Sequence, residues 1–272
     1  MTFARRLTTA AIAGLFAAAL PAAALAAKPD PAKVKADAQA AATAAGLNCQ
    51  VSDAANPGKA GADPVYEVAC SGYPGWLVIA SAQPQAFNCL AIAASVAAGG
   101  QASSQCALPA NQDAAASVRS LASGLGIDCT VDAAAWVGRV PNEADRYEIG
   151  CANADGFWIE TDLKGKPVRK LECLEIVAAG RECKFSTEAE RASSFNARLA
   201  STPAACTVAR VRLAGDTDTS RFYEVACDGG AGMMVSFNKT SGEFVQKYDC
   251  DVASGVAGGC KLAGAAATAG RD

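Results

Sequence analysis

The stretch Tyr66-Glu67-Val68-Ala69-Cys70 recurs as Tyr147-Glu148-Ile149-Gly150-Cys151 and again as Tyr223-Glu224-Val225-Ala226-Cys227. In every copy a glycine lies five positions beyond the cysteine and opens an apolar run. A sequence that resembles itself at a fixed period is typical of a chain built from repeated structural units. The three copies therefore predict a tandem array of three homologous modules.

The twelve cysteines form three groups of four with the same period. The groups start 80 and 77 residues apart, and the first two cysteines of each group are separated by 21, 22 and 21 positions. If the strands that carry these two cysteines form an antiparallel hairpin, one register pairs Cys49 with Cys70 and Val51 with Val68. The same register holds in the other groups. We therefore predict disulfides from first to second and from third to fourth cysteine: Cys49–Cys70, Cys89–Cys106, Cys129–Cys151, Cys173–Cys183, Cys206–Cys227 and Cys250–Cys260.

Metal binding is the alternative for these cysteines, and their spacing argues against it. Structural zinc ligands usually come in pairs about two to four residues apart, whereas the shortest interval between consecutive cysteines here is ten positions. The chain also lacks the Cys-x-x-Cys sequence of thiol oxidoreductases. We predict no metal ion and no cofactor.

The first 26 residues have the organisation of a secretory signal peptide. Arg5 and Arg6 precede an apolar run from Leu7 to Leu20, and small residues surround a cleavage position near Ala26. No later segment approaches the roughly 18 apolar residues that a membrane span requires. An even number of cysteines in an exported chain is typical of a disulfide framework. We therefore predict a periplasmic or secreted protein of a Gram-negative bacterium, with no membrane span after signal cleavage.

Each module is predicted to begin with a helix and to continue in strands. Thr187 and Glu190 form a capping-box pattern ahead of an apolar stripe, and Asp30 before Pro31 is a similar start. The fold class predicted from these signals is α+β, each module packing one helix on a small antiparallel sheet of three or four strands with two disulfides. The predicted boundaries are a signal peptide at 1–26, modules at 27–107, 108–184 and 185–262, and a disordered tail at 263–272.

Composition excludes several function classes. The chain has no histidine, which removes Ser-His-Asp and Cys-His nucleophile systems. Its formal charge is -3, and the strongest basic cluster, at residues 164–170, lies between the acidic residues Glu160, Asp162 and Glu172. Because binding to nucleic acid requires a basic surface that releases counterions, nucleic acid is not a predicted partner.

Strand alternation defines the candidate binding face. The glutamate of each repeated stretch points away from the face of the cysteines, and on the next strand one large apolar residue points the same way. Acidic and large apolar residues on one open face are typical of a protein-binding surface. The candidate binding residues are Glu67, Glu148, Glu224, Leu77, Trp158 and Met234, and no catalytic residue is predicted. The alternative is that the glutamates are ordinary solvent-facing residues and that the apolar side chains pack between modules.

The third module resembles a known family type at Tyr223 to Val225, at Gly232 and at Thr240-Ser241-Gly242-Glu243-Phe244-Val245. These residues are similar to the PepSY-type and β-lactamase-inhibitor-like modules of exported bacterial proteins. The resemblance implies helices packed on a small antiparallel sheet and a binding role. It covers the strands of each module, and the first two modules lack the Thr-x-Gly-Glu stretch. Some exported proteobacterial proteins also resemble this chain in their cysteine modules.

The function predicted from these observations is a non-enzymatic binding protein whose partner is an envelope or extracellular protein, and the resemblance implies an inhibitor-like role. Repetition of a small module widens a binding surface. A glycan or small-ligand binder that uses Trp76, Trp136 and Trp158 is the first alternative, because aromatic rings stack on such ligands. A carboxylate-only envelope hydrolase is the second alternative.

Overall fold

Strands predominate in the computed structural model, which describes residues 30–101, 105–230 and 232–262. They form three separate antiparallel sheets of four strands, and in each sheet the strands follow one another in chain order. The first sheet contains β1 (Val51–Ala60), β2 (Asp63–Cys70), β3 (Tyr73–Ile79) and β4 (Gln85–Asn88). The second contains β5 (Val131–Val140), β6 (Ala144–Cys151), β7 (Ala154–Asp162) and β8 (Pro167–Glu172). The third contains β9 (Val208–Asp216), β10 (Ser220–Cys227), β11 (Met233–Asn238) and β12 (Phe244–Asp249).

The predicted α+β fold with one helix on each sheet is wrong. The described part of the chain is mostly β and contains six α-helices, with a 3₁₀ turn at Ala253–Gly255. The helices are α1 (Pro31–Ala44), α2 (Cys89–Ala97), α3 (Pro109–Gln112), α4 (Ala114–Gly124), α5 (Cys173–Ala178) and α6 (Glu188–Leu199).

Helices α2 and α5 are the elements that the sequence reasoning missed, and both begin at the third cysteine of their group. The side chain of Asn88 caps α2 by accepting hydrogen bonds from the amides of Leu90 at 2.9 Å and Ala91 at 3.3 Å. A capping box between Glu172 and Glu175 starts α5. These caps accept hydrogen bonds from backbone amides of the first helical turn, which have no partner within the helix. The helix can therefore begin directly where the fourth strand ends.

The predicted disulfide pairing is confirmed in all six bridges. The register used to derive it is wrong, however. Val51 lies opposite Cys70 and Ala54 lies opposite Val68, because a bulge follows Val51 and because Cys49 precedes the first residue of β1. The Cα atoms of Cys49 and Cys70 are 5.1 Å apart, within the range that a disulfide spans.

One face of each sheet packs on the helix that precedes it in the chain. Alanines of α1 contact Val68 and Trp76 in the first sheet. Leu121 of α4 belongs to the core of the second sheet, and Phe195 of α6 to the core of the third. Small alanine side chains pack in this core beside the rings of Tyr66 and Trp76, and Trp76 is only 2% exposed.

The sheets also contact one another through helices. Helix α4 packs against β3 of the preceding sheet, and α6 packs against β7. In the same way α2 reaches β5 and α5 reaches β9. None of the helices within the described ranges combines the length and apolarity needed to cross a membrane. The predicted signal peptide and tail lie outside the described residues.

Candidate functional site

The three repeated glutamates are buried, which corrects the expectation that they lie on an open face. Their exposed fractions are 2% for Glu67, 1% for Glu148 and 0% for Glu224. Of the apolar candidates on the same face, Met234 and Trp158 are buried as well, and only Leu77 is half-buried. The alternation of side chains along a strand places these residues on the face of the sheet that does not carry the cysteines. It does not show what covers this second face.

In the first sheet, the cover is the chain segment that follows the fourth cysteine. The carboxylate of Glu67 accepts hydrogen bonds from the amides of Ala107 and Leu108, both at 2.8 Å. It also accepts one from the side chain of Asn111 at 2.8 Å. Two positions after Asn111, the side chain of Asp113 caps α4. Glu67 therefore fastens the segment after Cys106 onto the sheet.

The other two glutamates do the same in their own sheets. Glu148 accepts a hydrogen bond from the amide of Phe185 at 2.6 Å, two positions after Cys183. Glu224 accepts one from the amide of Lys261 at 2.6 Å and is paired with Arg212 at 2.5 Å. Charge-assisted bonds from several donors are the usual way in which a protein stabilises a buried carboxylate. The repeated glutamate is therefore a structural anchor.

Two of these carboxylates also lie against a disulfide. One oxygen of Glu67 lies within 4.8 Å of the sulfurs of Cys89 and Cys106, and Glu224 has the same relation to Cys250 and Cys260. Such clusters have the composition of a metal site. Their sulfurs are joined in disulfides, however, and an oxidised pair offers no thiolate to a metal ion.

The second face of the first sheet retains an open, mostly apolar cleft of about 480 Å³. We call it the first-sheet cleft and define it by Lys59, Val65, Leu77, Ile79, Phe87 and Ile92. Leu77, one of the predicted residues, is part of its wall. Phe87 is the most unusual member, because 46% of this large apolar side chain is exposed.

The matching positions of the second sheet are charged. Val65 pairs with Ile79 across β2 and β3, and the equivalent pair across β6 and β7 is Arg146 with Glu160. Glu160 forms ion pairs of 2.6 Å with both Arg146 and Arg169. The Arg169 guanidinium, with help from Arg146, holds the pKa of Glu160 below its usual range although burial opposes this. The apolar cleft is therefore a property of the first sheet and not of the shared architecture.

The second sheet has a different cleft of about 540 Å³, which contains two tryptophans. Trp158 donates a long hydrogen bond of 3.4 Å to Glu148, and Trp136 donates one of 2.9 Å to Asp145. The guanidinium of Arg181 lies 5.8 Å from the ring centre of Trp158. Trp76 takes no part in this cleft, because it lies in the core of the first sheet.

A smaller cavity of about 270 Å³ lies between the second sheet and α6. Burial raises the pKa of Asp155 there to about 6, although a hydrogen bond from Ser186 and the positive charge of Arg191 lower it. The amide of Asp155 also donates to the hydroxyl of Ser194 on α6 at 2.7 Å. Asp155 is therefore a titratable group between the second sheet and α6, the helix that packs on the third sheet.

No protein-family model matches the chain, and comparison with curated proteins and with solved structures finds no similar protein. The resemblance to PepSY-type and inhibitor-like modules therefore stays a prediction.

Proposed function

We propose that this chain is an exported, non-enzymatic binding protein and that the first-sheet cleft receives an apolar segment of another envelope or extracellular protein. The exposed ring of Phe87 in a cleft of about 480 Å³ is the observation that supports this proposal most directly. Large exposed apolar side chains gathered in a concave surface are typical of binding sites. The six disulfides support export, because such bonds persist in oxidising compartments.

The wall of the cleft specifies the chemistry of its occupant. Aliphatic side chains and the Phe87 ring favour two or three large apolar side chains on the partner. Lys59 is the charged residue among those that form the wall, and it is exposed. The partner segment is therefore expected to carry an acidic group beside its apolar residues.

The test uses site-specific photocrosslinking. A photoreactive phenylalanine analogue replaces Phe87 in the exported, oxidised chain, and a matched protein carries it at Val168, which is 59% exposed on the second sheet. The proposal expects one exported protein to crosslink at position 87 and not at 168, through a segment with apolar and acidic residues.

The purified partner is then titrated against two variants. Phe87→Glu should weaken binding by at least about tenfold, because it places a charge in the apolar cleft. Val168→Glu should leave the affinity unchanged. Equal affinity for the two variants would remove the cleft from the binding surface and overturn the proposal.

Binding of a glycan or small ligand is the second candidate, and one observation favours it. Trp136 and Trp158 line the same cleft of the second sheet, as stacking residues of a sugar site do. Trp136→Ala is the suitable variant, because Trp136 is only half-buried whereas Trp158 is buried. Loss of retention on a glycan array would support this candidate, and retention equal to that of the unaltered protein would remove it. The buried glutamates lend no support to a carboxylate-only hydrolase, since each binds backbone amides.

A further inference from the structure

The two joints between consecutive sheets share a specific contact. The hydroxyl of Tyr147 accepts a hydrogen bond of 2.6 Å from the side chain of Asn88 in the preceding sheet. At the next joint, Tyr223 donates one of 2.7 Å to Glu172. Asn88 and Glu172 are equivalent residues, because each precedes the third cysteine of its group and caps the helix that follows. A tyrosine of one sheet therefore forms a hydrogen bond with the helix-capping residue of the sheet before it.

The rest of each joint is also shared. The helix that follows the cap packs on the first strand of the next sheet, α2 on β5 and α5 on β9. We call the tyrosine and the first strand of a sheet its head, and the cap residue and the following helix or turn its tail. Each joint consists of a tail and the head of the next sheet.

The first sheet has a head that no tail covers within the described ranges. Tyr66 is the tyrosine of this head, and 8% of it is exposed, whereas Tyr147 and Tyr223 are 0% exposed. Among the residues that the structure describes, its hydroxyl has no hydrogen-bond partner, unlike those of the other two tyrosines. Strand β1 is a free edge of its sheet.

The third sheet has the complementary feature, a tail that covers no strand of another sheet in the described chain. Asp249 precedes Cys250 as Asn88 precedes Cys89, and Asp249 is exposed. Three positions after Asp249, Val252 is 68% exposed, the largest exposed fraction among the bulky apolar side chains of the described residues. At the other two joints, the equivalent helices α2 and α5 pack on the first strand of the next sheet.

The two free surfaces present exposed charges of opposite sign, although Asp53 of β1 is also exposed. Lys59 on β1 is exposed, and so is Lys35 on α1, the helix that packs on β1 and β2. Asp249 and Asp251 are exposed in the free tail, and Asp228 is exposed in the turn before β11. Opposite charges steer two surfaces together and favour one orientation of contact.

We propose that the free tail of one molecule binds the free head of a second copy of this chain, with Tyr66 donating a hydrogen bond to Asp249 of the second copy and Val252 packing on β1. A second copy is the favoured occupant because tail and head are already complementary at two joints inside each molecule. Such a contact joins two different surfaces, so it generates open chains of molecules unless the rotation closes a ring. The inference does not rest on the proposed function, because Tyr66, Asp249 and Val252 take no part in the first-sheet cleft and Lys59 is the one residue named in both.

The first test is sedimentation of the purified, oxidised protein over a range of concentrations. We expect the average mass to rise beyond that of a dimer with increasing concentration and to fall with added salt. Val252→Asp and Asp249→Lys should each return the protein to monomers, and Tyr66→Phe should weaken association about threefold or more. Val245→Asp is the matched control, because Val245 is a similarly exposed valine (53%) on β12 of the same sheet.

A mixing experiment distinguishes this geometry from a symmetric dimer. Val252→Asp blocks the tail only, and a Lys35→Glu, Lys59→Glu double variant blocks the head only. Each protein alone should be monomeric, whereas an equimolar mixture should form a dimer and stop there, because each pair retains one good head and one good tail. A chain that stays monomeric up to roughly 1 mM would overturn the proposal. Association that Val252→Asp leaves unchanged, or a mixture that fails to dimerise, would overturn it as well.

Discussion

At the scale of single residues, the repeated glutamate is the most informative position in the molecule. A charged residue on an alternating strand is normally exposed, and here it is buried in all three sheets because the chain returns over it and offers backbone amides. Sequence reasoning identified the residue by its recurrence and misplaced it, since alternation fixes the direction of a side chain but not what lies above it. No pattern in the sequence shows that amides after the fourth cysteine will reach the carboxylate.

Removing the charge of one such anchor should destabilise the protein. Glu148→Gln replaces an acceptor-only carboxylate with an amide whose donors face the amide of Phe185 and the indole of Trp158. We expect a loss of about 2–3 kcal/mol in the free energy of unfolding, measured by urea denaturation with the disulfides intact. Glu143→Gln is the control, because Glu143 lies exposed in the same sheet between β5 and β6. Equal loss in both variants would contradict the anchoring role.

Asp155 should make stability depend on pH. Its pKa is raised to about 6 in the folded protein by burial, above the value of about 3.9 that an unfolded chain gives it. The folded state therefore binds more protons than the unfolded state between these two values, so stability falls as the pH rises from about 4 to 6. We expect this fall to be on the order of 2 kcal/mol, and Asp155→Asn should abolish it. Urea unfolding at a series of pH values would measure it, and an identical slope in the variant would assign the effect to other groups.

At the scale of elements, the strands and disulfides follow from the sequence better than the helices do. The recurring stretches mark β2, β6 and β10, and the cysteine spacing leads to the correct bridges even though the assumed register is wrong. A bulge shifts the register without separating the cysteines, which explains how the pairing survives the error. Helices α2 and α5 were missed because their caps, Asn88 and Glu172, end a strand and were interpreted only as part of it.

The cap of α2 provides a test of two contacts made by one side chain. Asn88→Ala removes both the cap and the hydrogen bond to Tyr147, and we expect a loss of about 2–3 kcal/mol. Asn88→Asp should retain most of the stability, because a carboxylate accepts from the helix amides and also from the tyrosine hydroxyl, as Glu172 does at the next joint. Thermal unfolding with intact disulfides would rank the two variants. Equal destabilisation by Ala and Asp would show that the side-chain amide itself is required.

At the scale of the whole molecule, the joints determine how far one sheet depends on another. Between neighbouring sheets, helices contact strands of both, and a buried tyrosine of one sheet contacts the helix cap of the other. The sheets are therefore expected to open less independently than domains joined by a linker. The first-sheet cleft belongs to this scale too, because its character comes from pairs across several strands and from Ile92 of α2. The residue pattern of any single strand therefore does not reveal it.

Weakening the contact between the second and third sheets should therefore increase local opening of the third sheet and not of the first. Tyr223→Phe keeps the buried ring and removes the hydroxyl that contacts Glu172 at 2.7 Å and Arg198 at 3.2 Å. This loss should weaken the contact between the second and third sheets by about 1 kcal/mol. Amide hydrogen exchange should then become about fivefold faster in the third sheet, while exchange in the first sheet stays unchanged. Tyr248→Phe is the control in the same sheet, because no hydrogen bond joins its hydroxyl to the rest of the described chain. Faster exchange in all three sheets would instead mean that the molecule opens as one unit, and equal rates in the two variants would mean that the hydroxyl contributes nothing to the joint.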